Sequence, residues 1–161
     1  MSFSVRPATV EDVPDLVALR RVLFEAMGTE DEGALDRMCT ASARYFEERI
    51  PPGLFRAWVA EEVGRPIGAI GLEIHRVPPS PSRLEGTEAY IMNLVTLPAH
   101  RRSGVATALL ERVLETVEAE GIPLASLHAT RDGRGIYHRA GFAVDEALPE
   151  MRRTMLEADG T

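Results

Sequence analysis

The stretch Ile91 to Leu114, IMNLVTLPAHRRSGVATALLERVL, decides how this chain folds. Its opening residues end a strand at Thr96, and Pro98 closes that strand because proline cannot donate to a ladder. A helix then runs from Gly104 to Glu120. Val105, Leu109, Val113 and Val117 recur along it at helical spacing, with Leu110 and Leu114 beside them. Glu111, Arg112, Glu115 and Glu118 take the wet face. Between strand and helix lies Arg101-Arg102-Ser103-Gly104-Val105-Ala106. Helix N-termini expose unpaired backbone N–H groups and a partial positive charge, so they bind anions. Gly104 lets the backbone turn tightly beside a phosphate, and Ala106 keeps the first turn small. Arg101 and Arg102 add positive charge, and Ser103 and Thr107 add hydroxyl donors. The set suits a pyrophosphate. It is neither a G-x-G-x-x-G dinucleotide fingerprint nor a phosphate loop with Gly-Lys-Ser/Thr. Taken alone, it also admits a plainer reading, in which Gly104 is a simple turn and the arginines are surface charge.

Working outward, Phe3 to Pro7 alternates as a first strand. Thr9 with Asp12 forms a variant capping box ahead of a helix carrying Val13, Leu16, Val17, Leu23, Phe24 and Met27. Gly28 ends that helix. A second helix spans Leu35 to Arg49, and Pro51-Pro52-Gly53 stops it. Leu54 to Val63 and Ile67 to Val77 read as a hairpin around Gly64-Arg65-Pro66. Pro78 to Gly86 is a proline-rich loop, and Thr87 to Thr96 is the next strand. Downstream, Ile122 to Thr130 is a strand and Asp132 to Ala140 a short helix. Phe142 to Val144 and Met151 to Leu156 are expected to close an antiparallel pair, ahead of a frayed tail. The expected architecture is a single α/β domain over residues 1–161, a mixed sheet with helices on both faces.

Bulk properties agree with a soluble globular protein. The 161 residues are enough for a core, and 45% hydrophobic with 27% charged content argues against disorder. A net charge of −7 opposes nucleic acid as a main partner, because phosphate binding rests on Lys and Arg. The N-terminus shows no signal peptide, and no apolar run approaches the roughly 18 residues needed to span a bilayer. A lone cysteine, Cys39, cannot form an internal disulfide, which points to a reducing, cytoplasmic setting. No His, Cys or carboxylate set has metal-ligand spacing, so no metal is expected.

Arg101-x-x-Gly104-x-Ala106 after Val95-Thr96-Leu97-Pro98 resembles the acyl-CoA signature of the GNAT superfamily of N-acyltransferases. The later segment LHATRDGRGIYHRAGF, Leu127 to Phe142, is similar to that family's strand, tyrosine-bearing short helix and Gly-Phe. The order of elements matches over about residues 3–156. Ala106 stands where many members have glycine. The resemblance implies a mostly antiparallel sheet with one splayed parallel pair, here Thr87–Thr96 and Ile122–Thr130, holding the pantetheine arm of acetyl-CoA between them. It implies that backbone groups of Leu94, Val95 and Thr96 bind the arm, and that N–H groups from Arg102 to Ala106 hold the pyrophosphate. Where many members place an asparagine at the later strand's end, this chain has Ala129-Thr130-Arg131, which leaves Thr130 for that contact.

The implied chemistry is direct attack of an amine on the thioester. Backbone N–H near Leu94 is the implied oxyanion donor, and Tyr137 the implied acid for the thiolate. Proton transfer from a tyrosine of pKa about 10 to a thiolate whose acid has pKa about 8.5 is uphill by about 2 kcal/mol. An alkyl amine is neutral only about once in 10³ molecules at neutral pH, so a base is needed. Glu88 is one candidate, although strict alternation puts it on the face opposite Asn93. Glu73 and His75, on one face of the preceding strand, are others, and Asn93 can orient a water. His100 reads as solvated, His128 as a core histidine and His138 as outward-facing. Met38 and Cys39 read as helix packing. Asp31, Glu32 and Asp36 can receive a cationic acceptor or simply be a solvated helix start. The acceptor is a small-molecule amine or a peptide amine, with no membrane partner, and the chain's acidity is compatible with a homodimer. The rival readings are a non-catalytic acyl-CoA-binding regulatory module of the same fold and a nucleotide-binding protein.

Overall fold

The computed structural model describes residues 2–156, and the expected frayed tail lies outside them. The chain divides into two compact units, one ending at His128 and one beginning at Ala129.

The first unit carries a sheet in the order β1-β2-β3-β4-β5. β1 is Ser4–Pro7, β2 Arg56–Glu62, β3 Arg65–Arg76, β4 Thr87–Thr96 and β5 Ala125–Leu127. The first four pair antiparallel, and β4 with β5 is parallel. α1 is Val13–Ala26, α2 Glu32–Arg49 and α3 Val105–Ala119. Thr9 and Asp12 do form a capping box, around a single 3-10 turn that leads into α1. Asp12 also takes a two-pronged ion pair from Arg6 at 2.9 and 2.7 Å, and Arg6 reaches Glu61 at 2.5 Å, which ties β1, the helix start and β2 together.

Helices cover both faces. Val13, Leu16 and Leu19 of α1 and Phe46 of α2 pack on Ala57, Val59, Ala69 and Val95. Leu109, Leu110, Val113 and Val117 of α3 are buried on the other face. Each such side chain contributes about 1.5–3 kcal/mol of apolar burial. The two faces alternate along β3, as period-two backbone requires. Ala69 belongs to the α1–α2 cluster, whereas a β-carbon on Gly68 would stand 3.0 Å from Val105 and 3.3 Å from Leu109. Only glycine permits that approach, because the same β-carbon would also lie 2.8 Å from the Val95 carbonyl oxygen. The start of α3 therefore seats directly on the sheet.

Strict alternation fails in β4. Gly71 pairs with Met92 and Ala69 with Val95, so one residue too many stands opposite Ile70. Asn93 absorbs the bulge with φ 56°, a left-handed conformation that asparagine tolerates better than most residues. The register shift turns Asn93 onto the face of Met92, Tyr90 and Glu88. The expectation that Glu88 and Asn93 oppose one another is thereby corrected.

The second unit holds α4, Arg134–Arg139. The expected strands at Phe142 to Val144 and Met151 to Leu156 are not formed, and Val144, Leu148, Met151, Met155 and Leu156 are exposed. Alternation marks a segment able to pair but does not supply the partner edge that makes a strand stable. Among the described residues, no helix is long and apolar enough to cross a membrane.

Candidate active site

β5 accompanies β4 only from Ala89 to Ile91, opposite Ala125 to Leu127. Beyond Ile91, the β4 edge away from β3 carries no strand among the described residues, so Leu94, Val95 and Thr96 lie along an open edge. That edge leads to the start of α3. Gly104 is its N-cap, left-handed at φ 83°, with no side-chain cap and nothing within 4 Å of where a β-carbon would be. The first N–H groups of α3 therefore have no capping side chain. Arg102 is also left-handed, at φ 60°, and it is exposed together with Arg101. Arg101 Nε donates to the Thr96 carbonyl at 3.4 Å, and Ser103 Oγ donates to the His100 carbonyl, which straps the loop. Val105 is buried, Ala106 half-buried and Thr107 exposed. The Thr96 hydroxyl is buried without a hydrogen-bond partner. An open edge, an uncapped helix start, two exposed arginines and an orphaned hydroxyl fit a long ligand with a polar arm and a phosphate-bearing end.

His100 is not solvated. Its ring Nε2 lies 3.0 Å from Glu62 Oε2, with the side chain 20% exposed, so β2 holds the loop through it.

A cavity of about 340 Å³ opens between α1, α2 and the β4 bulge. Arg20, Met38, Ser42, Tyr45, Met92 and Asn93 line it, with Ala41 and Phe46. Arg20 donates to Ser42 Oγ at 3.1 Å and to Asn93 Oδ1. Its guanidinium lies 4.9 Å over the Phe24 ring, and burial lowers its pKa. Met38, expected only to pack, lines this cavity and accepts from Ser42 at 3.3 Å. Sequence reading missed Arg20, Ser42 and Tyr45. Arg20 sits on the same helix face as Leu16 and Phe24, four residues from each, which is the one signal that marks it as inward-facing.

The expected base candidates sit on the same sheet face, beyond Tyr45. Glu73 accepts from the Tyr45 hydroxyl, lies 3.5 Å from Arg49 and is 3.1 Å from His75 Nε2. The His75 ring stacks on Tyr90 at 5.3 Å, and the Tyr90 hydroxyl meets His128 Nδ1 at 2.6 Å. His128 is exposed rather than in the core. Glu88 is tied on both oxygens, to Arg83 and to Ser126 Oγ at 2.7 Å. Asp31 caps α2, and Glu32 and Asp36 pair with Arg21, so the acidic helix start is spent on structure.

In the second unit, Tyr137 is half-buried on α4, with its ring edge-on to Phe142 at 6.1 Å. Burial raises its pKa above 10.0, so the phenol holds its proton at neutral pH. Thr130 Oγ1 accepts from Gly133 N at 3.2 Å. His138 is exposed and meets the Phe142 carbonyl at 3.1 Å. No set of three or more His, Cys, Asp or Glu is placed to hold a metal among the described residues.

The model of the Acetyltransferase (GNAT) family matches residues 17–142. A GCN5-related N-acetyltransferase from Ralstonia eutropha JMP134 is 31% identical and superposes with a TM-score of 0.87, covering 96% of this chain and 99% of that one. A predicted acetyltransferase from Clostridium acetobutylicum, solved with acetyl-CoA, is 26% identical with a TM-score of 0.84, covering 94% and 96%. Glucosamine-6-phosphate N-acetyltransferase from Arabidopsis thaliana, at 16% identity and a TM-score of 0.69 over 96% and 99%, shares the fold. No curated protein matches the chain.

Proposed function

The chain belongs to the Acetyltransferase (GNAT) family, and on that premise we propose that it transfers an acetyl group from acetyl-CoA to a primary amine, with both substrates bound at once. The observation that carries this reading is the β4 edge that β5 leaves open after Ile91, running into the left-handed Gly104 turn. N–H groups from Arg102 to Ala106, with Arg101 and Thr107 beside them, hold the pyrophosphate. Leu94, Val95 and Thr96 bind the arm. The family match runs through both units, which supports reading residues 1–161 as one functional domain.

Acetyl-CoA supplies an activated thioester carbonyl. In the transfer, the amine nitrogen bonds to that carbonyl carbon, the carbon–sulfur bond breaks, nitrogen loses a proton and sulfur gains one. The Leu94 N–H beside the bulge stabilises charge developing on the carbonyl oxygen. Tyr137 gives its proton to the sulfur. The Glu73–His75 pair takes the amine proton through water, with Glu73 orienting the imidazole at 3.1 Å. Glu88 is the less suited base, because Arg83 and Ser126 hold its oxygens and, unlike Glu73, it orients no imidazole.

Thiol release measured with acetyl-CoA across small primary amines and peptide amines tests the reading. Amine-dependent release with a product heavier by one acetyl group is the expected result. Tight CoA binding with no amine-dependent release would replace it with the regulatory, non-catalytic alternative.

A further inference from the structure

We infer that the acceptor is an amine that also bears a carboxylate, and that Arg20 pairs with that carboxylate in the cavity beside Asn93. The inference rests on reading that cavity as the acceptor site.

Arg20 is the charged residue of the lining, and no acidic side chain lines the cavity with it. Its partners are neutral, Ser42 Oγ on Nε and Asn93 Oδ1 on Nη1. Nη2 has no partner among the described residues, and the one ionisable group that favours the charged guanidinium is the Cys39 thiol, not a carboxylate. The neighbouring Arg21 is the opposite case, since Glu25, Glu32 and Asp36 all converge on it outside the cavity. Other inward arginines have acids of their own: Arg6 has Asp12 and Glu61, Arg49 has Glu73, and Arg83 has Glu88. In a chain with net charge −7, this guanidinium is held in place by two neutral acceptors and has no carboxylate partner among the described residues.

Removing a guanidinium from water is unfavourable unless an anion compensates. Here no carboxylate among the described residues supplies that anion, and the cavity leaves open space beside the guanidinium. A planar guanidinium with one nitrogen free matches a carboxylate by geometry and charge. A phosphate dianion would call for more than this single cation, and a polycationic acceptor would be repelled by it. Met38, Met92 and Phe46 surround the charge with apolar surface, which suits the side chain of an amino acid.

The test compares matched acceptors at saturating acetyl-CoA: phenylalanine against phenethylamine and phenylalaninamide, and leucine against isoamylamine. The carboxylate-bearing member is expected to have a kcat/KM about tenfold or more above its partners. Arg20→Met, which keeps the aliphatic stem, brings that ratio close to one through acceptor KM and leaves acetyl-CoA KM unchanged. Arg20→Lys retains part of the preference. Equal or better turnover of the amines lacking carboxylate, or an unchanged ratio in Arg20→Met, overturns the inference. A second arm needs no turnover: calorimetric binding of N-acetylphenylalanine against N-acetylphenethylamine to the CoA-saturated protein. If no amine is acetylated, the transferase reading fails and this arm still decides Arg20. A carboxylate preference lost in Arg20→Met supports the pairing, and the absence of any preference rejects it.

Discussion

Arg20, in the middle of α1, donates through Nη1 to the side-chain oxygen of Asn93 at the β4 bulge, across 73 residues of sequence. This bond joins the cavity proposed for the acceptor to the strand edge proposed to bind the donor. Asn93 does two jobs that substitutions can separate. Asn93→Gly keeps the left-handed backbone and loses the contact, whereas Asn93→Ala loses the contact and adds strain of about 1–2 kcal/mol. Both variants should raise acceptor KM. Thermal melts should show the alanine variant less stable than the glycine one, and equal stability would mean that the bulge is not held by backbone preference.

The close seat of α3 on the sheet is tested at Gly68. A methyl group there meets a backbone oxygen at 2.8 Å, which cannot swing aside. Gly68→Ala should cost about 1–3 kcal/mol. It should also weaken acetyl-CoA binding about tenfold, because Val105 and the turn before it are pushed off the strand end. Calorimetric titration with CoA reads this directly. A destabilised variant with unchanged affinity would separate the packing from the donor site.

Gly104 offers a cleaner contrast, since there is open space around it. The penalty for Gly104→Ala is then confined to the backbone at φ 83°, about 1–2 kcal/mol. Gly104→Asn should recover most of the lost CoA affinity, because asparagine visits the left-handed region readily. An asparagine variant as weak as the alanine variant would point to lost space rather than lost conformation.

For Tyr137, burial raises the phenol pKa above 10.0. The protonated form is the proposed donor, so activity should persist as pH rises and fall only through that raised value. Tyr137→Phe should lower kcat about 10²-fold with acetyl-CoA affinity retained, and should erase the basic limb. Wild-type turnover in the variant removes the acid role.

Asp12 governs acid stability in the first unit. The Arg6 hydrogen bonds, followed by the Thr9 backbone, hold its carboxyl below the ordinary 3.8. A depressed carboxyl contributes stability above its unfolded value and loses it as pH falls through the folded one. Asp12→Ala should cost about 2–4 kcal/mol at neutral pH, from the cap and the broken ion pair together. The deficit should shrink below the unfolded pKa in denaturant titrations run from neutral to strongly acidic buffer. A deficit constant with pH would mean that the ion pair contributes nothing.

Much of this molecule is legible in local sequence. The caps at Thr9 and Gly104, the period of Val105 to Val117, and the stop at Pro51-Pro52-Gly53 are properties of a few adjacent residues. The structure repeats them because helix starts, stripes and stops are decided within one or two turns of chain. The same local signals pointed to the turn proposed to hold the pyrophosphate. They failed at Phe142 to Val144 and Met151 to Leu156, where a strand-like pattern forms no strand.

What only the tertiary structure decided is the make-up of the cavity proposed for the acceptor. Alternation assigns Asn93 to the wrong face, because the bulge arises from how Ala69 and Gly71 register against Val95 and Met92. Helical spacing turns Arg20 inward but does not reveal that Arg21 gathers the nearby acids and leaves Arg20 none. Both facts depend on contacts between segments tens of residues apart. Periodicity records which face a residue takes within its own element, whereas the balance of charge in a cavity is a sum over every element that walls it.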